Sequence, residues 1–197
     1  MKLTTKINNG VIMTVSAMIV FFASIAPASA ACSDDAGPGV DWTGCETDKI
    51  DLQGMDLSNA VLIEANLPSA HLRNAILAGA DLTGANLYNA HFSNGDLTNA
   101  KLTNANLQET DFSYAKLIGA DLANTNLTRS YMQGAEASSS NLAGADLSGA
   151  NLVQTNLSNA DLTGAVLTDA KVIHADFSGA TWIDGRTCSE GSIGECK

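Results

Sequence analysis

A strict period of five residues constrains the fold of this chain more than any other feature of its sequence. From Leu52 to Trp182 every fifth residue is large and apolar except Ala137, and 20 of these 27 positions are leucine. Two residues before each of these positions, from Ala60 to Ala180, the residue is always Ala, Ser, Thr or Gly. A period kept this long without an insertion indicates a repeat architecture before any local propensity is considered.

Neither an α-helix nor a long straight strand buries such a repeat. Five residues turn an α-helix through roughly 500°, so successive leucines would spiral around it and form no apolar stripe. Along a strand, an odd period sends successive leucines to opposite faces. The remaining solution is a very short side followed by a corner, repeated until the sides close around a shared core and stack in coils. The sequence therefore predicts an all-β solenoid.

The pentad from Ala145 to Gly149 illustrates how one side is built. Ala145 and Leu147 are two residues apart, so a short extended piece points both into the core and leaves Asp146 outside. Ser148 and Gly149 are residues that turns favour, and they form the corner.

The pattern Ala-(Asp/Asn)-Leu-x-x, as in ADLTGANLYNA at 80–90 and GADLSGANL at 144–152, resembles the pentapeptide-repeat family over about 135 residues. This resemblance implies a right-handed quadrilateral β-helix with four pentads per coil, and thus about seven coils from the 27 pentads. Four pentads per coil would stack residues that are twenty apart. Phe92, Phe112 and Met132 would then share one inward core column, in which the rings stack.

The N-terminal residues match a secretory signal peptide. Lys2 and Lys6 precede an apolar run at 11–26, and Ala28-Ser29-Ala30 then supplies a small-x-small cleavage signal. We expect residues 1–30 to be removed and the mature protein to be periplasmic or extracellular. The two alternatives are an uncleaved anchor and a lipoprotein anchored through Cys32, although Ser29 replaces the large aliphatic residue that usually stands three places before a lipidated cysteine.

The four cysteines lie outside the repeat, two on each side of it. An even number in an exported chain predicts disulfides, and we favour Cys32–Cys45 with Cys188–Cys196 among the three pairings because a rod holds its ends apart. The predicted segments are a cysteine-stapled cap at 31–49, the β-helix at 50–184 and a second cap at 185–197. Trp42 and Trp182 are predicted to cover the ends of the core. These flanks resemble those of exported bacterial members of the family.

The charge of the mature chain limits its partners. Loss of Lys2 and Lys6 leaves eight basic and 21 acidic residues, a net charge of −13, which repels nucleic-acid phosphate. No nucleic-acid partner and no stable membrane insertion of the mature chain are expected. The oligomeric state does not follow from the sequence.

The repeat offers no recognisable catalytic set. No phosphate-binding glycine loop and no nucleophile motif accompany the leucine and alanine interior, so no enzyme, catalytic residue or cofactor is predicted. A spacing of twenty does place Asp51, His71, His91 and Asp111 in one outward column, where they are candidate ligands of a divalent metal or a pH-sensitive patch. A second outward column carries asparagines that would hydrogen-bond along the stack: Asn66, Asn86, Asn106 and Asn126.

The function predicted from the sequence is that of a non-enzymatic, exported structural or protein–protein interaction module with an unknown protein partner. One alternative, which the family resemblance implies, is an acidic DNA mimic that binds a type II topoisomerase, although the export signal fits a cytoplasmic target badly. The other alternative is metal or pH-sensitive binding at His71 and His91.

Overall fold

The computed structural model describes residue 32 and residues 34–197, and the predicted signal peptide at 1–30 lies outside this part of the chain. Within it, the regular elements are isolated β-bridges, and it contains neither helices nor longer strands. Parallel bridges join residues that are twenty apart, from Asp41–Val61 at one end to Asp161–Thr181 at the other. One coil therefore takes twenty residues, which is four pentads, and each pentad forms one side of the coil.

The outward middle residues of the pentads form four columns, and we name the four faces of the solenoid after them. Face A has Asp41, Val61, Asp81, Lys101, Asp121, Asn141, Asp161 and Thr181. Face B has Glu46, Asn66, Asn86, Asn106, Asn126, Asp146 and Val166. Face C has Asp51, His71, His91, Asp111, Tyr131, Asn151 and Lys171. Face D has Asp56, Ile76, Asp96, Lys116, Glu136, Asn156 and Asp176.

A tight turn makes each corner. In the pentad from Met55 to Asn59, the carbonyl of Leu57 accepts a hydrogen bond at 3.0 Å from the amide of Ala60, the first residue of the next pentad, and Asn59 has φ +57°. A positive φ at this place is what a type II turn requires, and it explains why glycine and asparagine recur at the last position of the pentad. The side chain of Asp56 supports the same corner by accepting hydrogen bonds from the amide (3.0 Å) and the hydroxyl (2.6 Å) of Ser58.

The core consists of the large apolar residues and of the small residues that lie two positions before them. Phe92, Phe112 and Met132 are fully buried in the inward column beneath face C, and the two phenyl rings stack with centroids 5.1 Å apart and planes at 14°. Gly95 shows how little room the small positions leave, since a Cβ there would lie 2.9 Å from the carbonyl oxygen of Phe92. Small residues thus allow the sides to approach each other closely.

The N-terminal end of the core is covered by a tryptophan that belongs to the repeat register. Parallel pairing begins at Asp41, inside the range predicted as a cap at 31–49, so the ladder starts earlier than the predicted boundary at residue 50. Trp42 lies ten residues before Leu52 and takes an inward position, where it is only 3% exposed. Its indole N–H donates to the carbonyl of Asp34 at 3.2 Å, and the Cys32–Cys45 disulfide ties the preceding segment to the first coil.

The C-terminal end is covered by a segment that folds back on the last coil. Antiparallel bridges join Thr181 to Thr187 and Asp176 to Ile193, and a disulfide links Cys188 to Cys196. Trp182 stands edge-on to the ring of Phe177, with centroids 5.0 Å apart and planes at 80°, and is only partly buried. Trp182 therefore covers only part of the C-terminal end of the core.

The returning segment covers two of the four sides of the last coil. The amides of Phe177 and Trp182 donate to carbonyls of the returning segment. In contrast, the amides of Leu167 and Val172 have no backbone acceptor in the described part of the chain, and both side chains are partly exposed. The last coil therefore keeps an open edge on faces B and C. None of the described residues form a helix long and apolar enough to cross a membrane.

Candidate functional site on face C

The structure brings the predicted histidine and aspartate column together on face C. Consecutive parallel bridges join Asp51 to His71, His71 to His91, and His91 to Asp111. The imidazole centroids of His71 and His91 are 5.6 Å apart, and the ring planes are tilted by 57°. His71 is exposed, whereas His91 is half-buried between its neighbours.

These four residues lie on successive coils along face C. Among residue 32 and residues 34–197, no group of three or more His, Cys, Asp or Glu side chains is placed to hold a metal ion. One oxygen of each aspartate is already engaged within its own turn. Asp51 accepts from the amide of Gln53 at 3.2 Å, and Asp111 accepts from the amide of Ser113 at 2.9 Å.

The electrostatic surroundings of His91 favour a neutral imidazole. Partial burial is the main cause that lowers the pKa of His91, and the positive charges of Arg73 and His71 lower it further. The carboxylate of Asp111 acts in the opposite direction but is outweighed. Near neutral pH the ring therefore acts as a hydrogen-bonding group and not as a cation.

Face C and its two corners hold all three tyrosines of the chain. Tyr88, Tyr114 and Tyr131 are 39%, 58% and 53% exposed, respectively. The ring of Tyr114 lies over Gly134 on the next coil, where a Cβ would be only 2.7 Å from the ring. The same surface carries Arg73 and Arg129, so face C and its corners hold all three tyrosines and two of the three arginines of the chain.

A recess of about 290 Å³ opens on this face. It is lined by Arg73, Asn89, His91, Glu109, Asp111, Ser113 and Tyr131. Glu109 forms part of its wall and is held from two sides, by the hydroxyl of Tyr88 at 3.0 Å and by the guanidinium of Arg129 at 3.6 Å. The hydrogen bond to this carboxylate raises the pKa of Tyr88.

The asparagine column on face B is structural. The amide of Asn86 donates to Asn66 at 2.7 Å, Asn106 donates to Asn86 at 2.9 Å, and Asn126 donates to Asn106 at 3.3 Å, as the sequence predicted. Each side-chain amide donates to the side-chain oxygen of the asparagine one coil before it, as in other stacked asparagine ladders.

Sequence reasoning found the outward column of face C but missed the recess. Arg73 occupies an outward position two residues after the column, and Glu109 occupies a corner. Applying the spacing of twenty to the corner positions as well would have stacked Arg73 on Ser93, next to the column of His91. The contact of Glu109 with Tyr88 and Arg129 depends on side-chain conformations, so the spacing alone could not reveal it.

Comparison with known families identifies the chain. The family described as "Pentapeptide repeats" matches residues 48–77 and 140–179, and the family described as "Pentapeptide repeat region" matches residues 65–142. The chain belongs to the pentapeptide-repeat proteins. Comparison with curated proteins gives no match.

Solved structures similar to the chain are those of pentapeptide-repeat proteins. A trypsin-treated variant of QnrB1, a plasmid-mediated fluoroquinolone resistance protein, superimposes with a TM-score of 0.61 at 18% identity, over 77% of this chain and 81% of that one. HetL from the cyanobacterium Nostoc, involved in heterocyst differentiation regulation, is 26% identical over 76% of this chain and 92% of its own, with a TM-score of 0.31. Rfr23 from Cyanothece is 26% identical over 72% and 90%, with a TM-score of 0.31. The fold of this group is the right-handed quadrilateral β-helix.

Proposed function

We propose that the mature chain is an exported, non-enzymatic protein-interaction module that binds its partner through face C. The observation that carries this proposal is the concentration of all three tyrosines, together with Arg73 and Arg129, on one surface. Tyrosine and arginine are enriched among the residues that dominate protein interfaces. A solenoid also presents such residues on a rigid, extended surface, which reduces the entropy lost on binding.

The proposal includes export and the corresponding chain organisation. Two disulfides favour a compartment outside the reducing cytoplasm, and the pairing of Cys32 with Cys45 favours a disulfide over lipidation at Cys32. In this proposal residues 1–30 are a signal peptide, residues 31–49 and 185–197 are caps, and residues 50–184 form about seven coils of β-helix. The bridge at Asp41 extends the ladder into the first cap.

The acidic DNA-mimic alternative receives less support from the surface. Asp81 on face A lies 3.4 Å from the ammonium group of Lys101, and on face D the Asp96 carboxylate lies 3.9 Å from that of Lys116. These lysines interrupt the rows of carboxylates, whereas a mimic of DNA needs regularly spaced negative charge. The likeness to QnrB1 at 18% identity concerns the fold.

Site-specific crosslinking in cells tests the proposal. A photoreactive phenylalanine analogue in place of Tyr114 should capture one defined protein, and the same analogue in place of Lys101 on face A should not. Tyr131→Ser should reduce capture from position 114 without changing the amount of exported protein. Equal capture from both positions, or capture that is indifferent to Tyr131→Ser, would rule out face C as the binding surface.

A further inference from the structure

The recess on face C has an uncompensated positive charge at the end nearer the N-terminus. Arg73 is exposed, and it takes part in none of the ion pairs among the described residues. Burial is the main cause that lowers the pKa of the neighbouring His91, and the charge of Arg73 adds to it. This end of the recess therefore attracts an anion although the protein as a whole is acidic, and a guanidinium presents the paired donors that match a carboxylate.

The opposite end of the recess is anionic and aromatic. Asp111 lies one coil beyond His91, forms none of the described ion pairs, and keeps one carboxylate oxygen free after the bond from the Ser113 amide. The negative charge of Glu109 is already balanced by Arg129 and by the hydroxyl of Tyr88. Tyr131 lies one coil beyond Asp111, with about half of its surface open to solvent.

The spacing of these groups suits a small ligand with two opposite charges. His91, Asp111 and Tyr131 stand on successive coils, and coils joined by bridges are about 4.8 Å apart. The flexible side chain of Arg73 starts one coil before His91 and can extend toward it. The volume of about 290 Å³ falls just below the usual range for small-molecule sites, so it is suited to a ligand smaller than a typical cofactor.

We propose that this recess binds a zwitterion with an aromatic body, of the class of the aromatic α-amino acids. The guanidinium of Arg73 receives the carboxylate, the free oxygen of Asp111 receives the ammonium group, and the ring packs on Tyr131. His91 and Asn89 supply hydrogen bonds from the floor of the recess. This inference goes beyond the proposed interaction with a protein, because it assigns a small ligand to the same face.

Three probe molecules separate the charges of the ligand. All three contain a phenyl ring. L-phenylalanine carries both charges, 3-phenylpropionate carries only the carboxylate, and phenethylamine carries only the ammonium group. In a calorimetric or ligand-observed NMR titration of the mature, disulfide-bonded protein, L-phenylalanine should bind with saturation. Each singly charged analogue should bind at least about tenfold more weakly.

Two substitutions assign the charges to residues. Arg73→Met should weaken binding of phenylalanine and phenylpropionate and leave that of phenethylamine unchanged. Asp111→Asn, which keeps an acceptor for the Ser113 amide, should weaken binding of phenylalanine and phenethylamine and leave that of phenylpropionate unchanged. Arg186→Met, in an arginine of the C-terminal segment, is the matched control and should bind all three probes as the wild type does.

The proposal is overturned if phenylalanine shows no saturable binding up to about ten millimolar, near the weak limit of specific affinities. It is also overturned if Arg73→Met or Asp111→Asn binds phenylalanine as well as the control does. Failure of either kind leaves crosslinking from position 114 unaffected, so the zwitterion site and the protein-interaction surface are tested separately.

Discussion

At the scale of single residues, one carboxylate or amide oxygen organises each corner that follows an outward Asp or Asn with this hydrogen bond, as at Asp161 and Asn156. Asp161 accepts hydrogen bonds from the amide (2.9 Å) and the hydroxyl (2.6 Å) of Thr163, and Asn156 accepts the same pair of bonds from Ser158 (3.0 and 2.7 Å). The hydroxyl of Thr163 lowers the pKa of Asp161 below the ordinary 3.8, the Thr163 amide adds to this effect, and slight burial opposes it. The repeat therefore uses Asp and Asn interchangeably for geometry, although only Asp titrates.

This equivalence predicts how the stability responds to acid. A carboxylate whose pKa is lowered by folding stabilises the native state above its unfolded pKa, and this contribution is lost as the pH falls through the folded pKa. Asp56 and Asp161 both have pKa values below 3.8. The double variant Asp56→Asn/Asp161→Asn should therefore lose less unfolding free energy than the wild type as the pH falls from about 5 to about 2.

Urea denaturation, followed by the fluorescence of Trp42 and Trp182, measures this difference. At pH 7 the variant should match the wild type within about 0.5 kcal/mol, because Asn keeps the acceptor for the corner bonds. Parallel acid profiles of the two proteins would show that these corner carboxylates do not contribute to acid sensitivity.

At the scale of the element, the conformation of the pentad could be predicted from the sequence, whereas the recess on face C could not. A period of five excludes helix and long strand, and the alternation of Ala and Leu determines which residues point inward. The positive φ at residues such as Asn59 follows from the same pattern, because only certain residues turn a corner easily. The recess was not predictable, since it depends on how Arg73, Glu109 and Tyr131 extend from three different coils.

The same contrast between predictable and unpredictable features holds at the two ends of the solenoid. Trp42 continues the five-residue spacing of the large apolar residues backward from Leu52, and Cys45 continues that of the small residues backward from Ala60, yet the flanking glycines and acidic residues obscure both patterns. The parallel bridges begin at Asp41, before the predicted start of the β-helix at residue 50. The return of the C-terminal segment across faces D and A depends on antiparallel pairing with the last coil. A segment without the repeat gives no register from which this pairing can be derived.

The C-terminal staple should protect one half of the last coil. The amides of Phe177 and Gly179 donate to the carbonyls of Ser192 and Cys188 in the returning segment, at 2.8 and 3.1 Å. In Cys188→Ser/Cys196→Ser these amides should exchange with solvent much faster, and the unfolding free energy should fall by about 2–4 kcal/mol, which is typical for the loss of a disulfide. Hydrogen exchange at single-residue resolution measures both effects.

Two comparisons make the exchange experiment specific. The amides of Leu167 and Val172 lie on the open edge and should exchange rapidly in the wild type and in the variant alike. The variant Cys32→Ser/Cys45→Ser should leave the protection of Phe177 and Gly179 intact, because it loosens the opposite end. Unchanged protection of Phe177 in the C-terminal variant would mean that backbone pairing holds the segment without the disulfide.

At the scale of the whole molecule, the parallel bridges at a separation of twenty make each coil equivalent to the next. Leu142 and Leu162 occupy the same inward column on successive coils, and both are fully buried. In such a one-dimensional array, stability is close to a sum over coils and their interfaces. Removing one complete coil should shorten the solenoid without changing its architecture.

Two deletions of similar size should therefore behave differently. Deletion of residues 142–161 joins Asn141 to Leu162 in the correct register, and the shortened protein should unfold cooperatively at a somewhat lower temperature. Deletion of 142–159 removes two residues fewer but places Leu162 at a corner, so the inward residues after the junction leave the core. This variant should lose the last coil and its cap and unfold at a lower temperature than the 142–161 deletion. Thermal unfolding by circular dichroism, with size-exclusion chromatography, distinguishes these results, and a 142–159 deletion as stable as the 142–161 deletion would contradict the coil assignment.

The number of residues added to or removed from the ladder determines whether the C-terminal cap only moves along the axis or also rotates about it. Adding or removing twenty residues moves the C-terminal cap by about 4.8 Å along the axis and preserves its angular position relative to the N-terminal cap. Adding or removing a single pentad moves it by about a quarter of that distance and turns it through one face, so that the open edge of the last coil no longer lies on faces B and C. A chain built in this way can change its length and the direction in which its end points by whole units, without redesigning any part of its core.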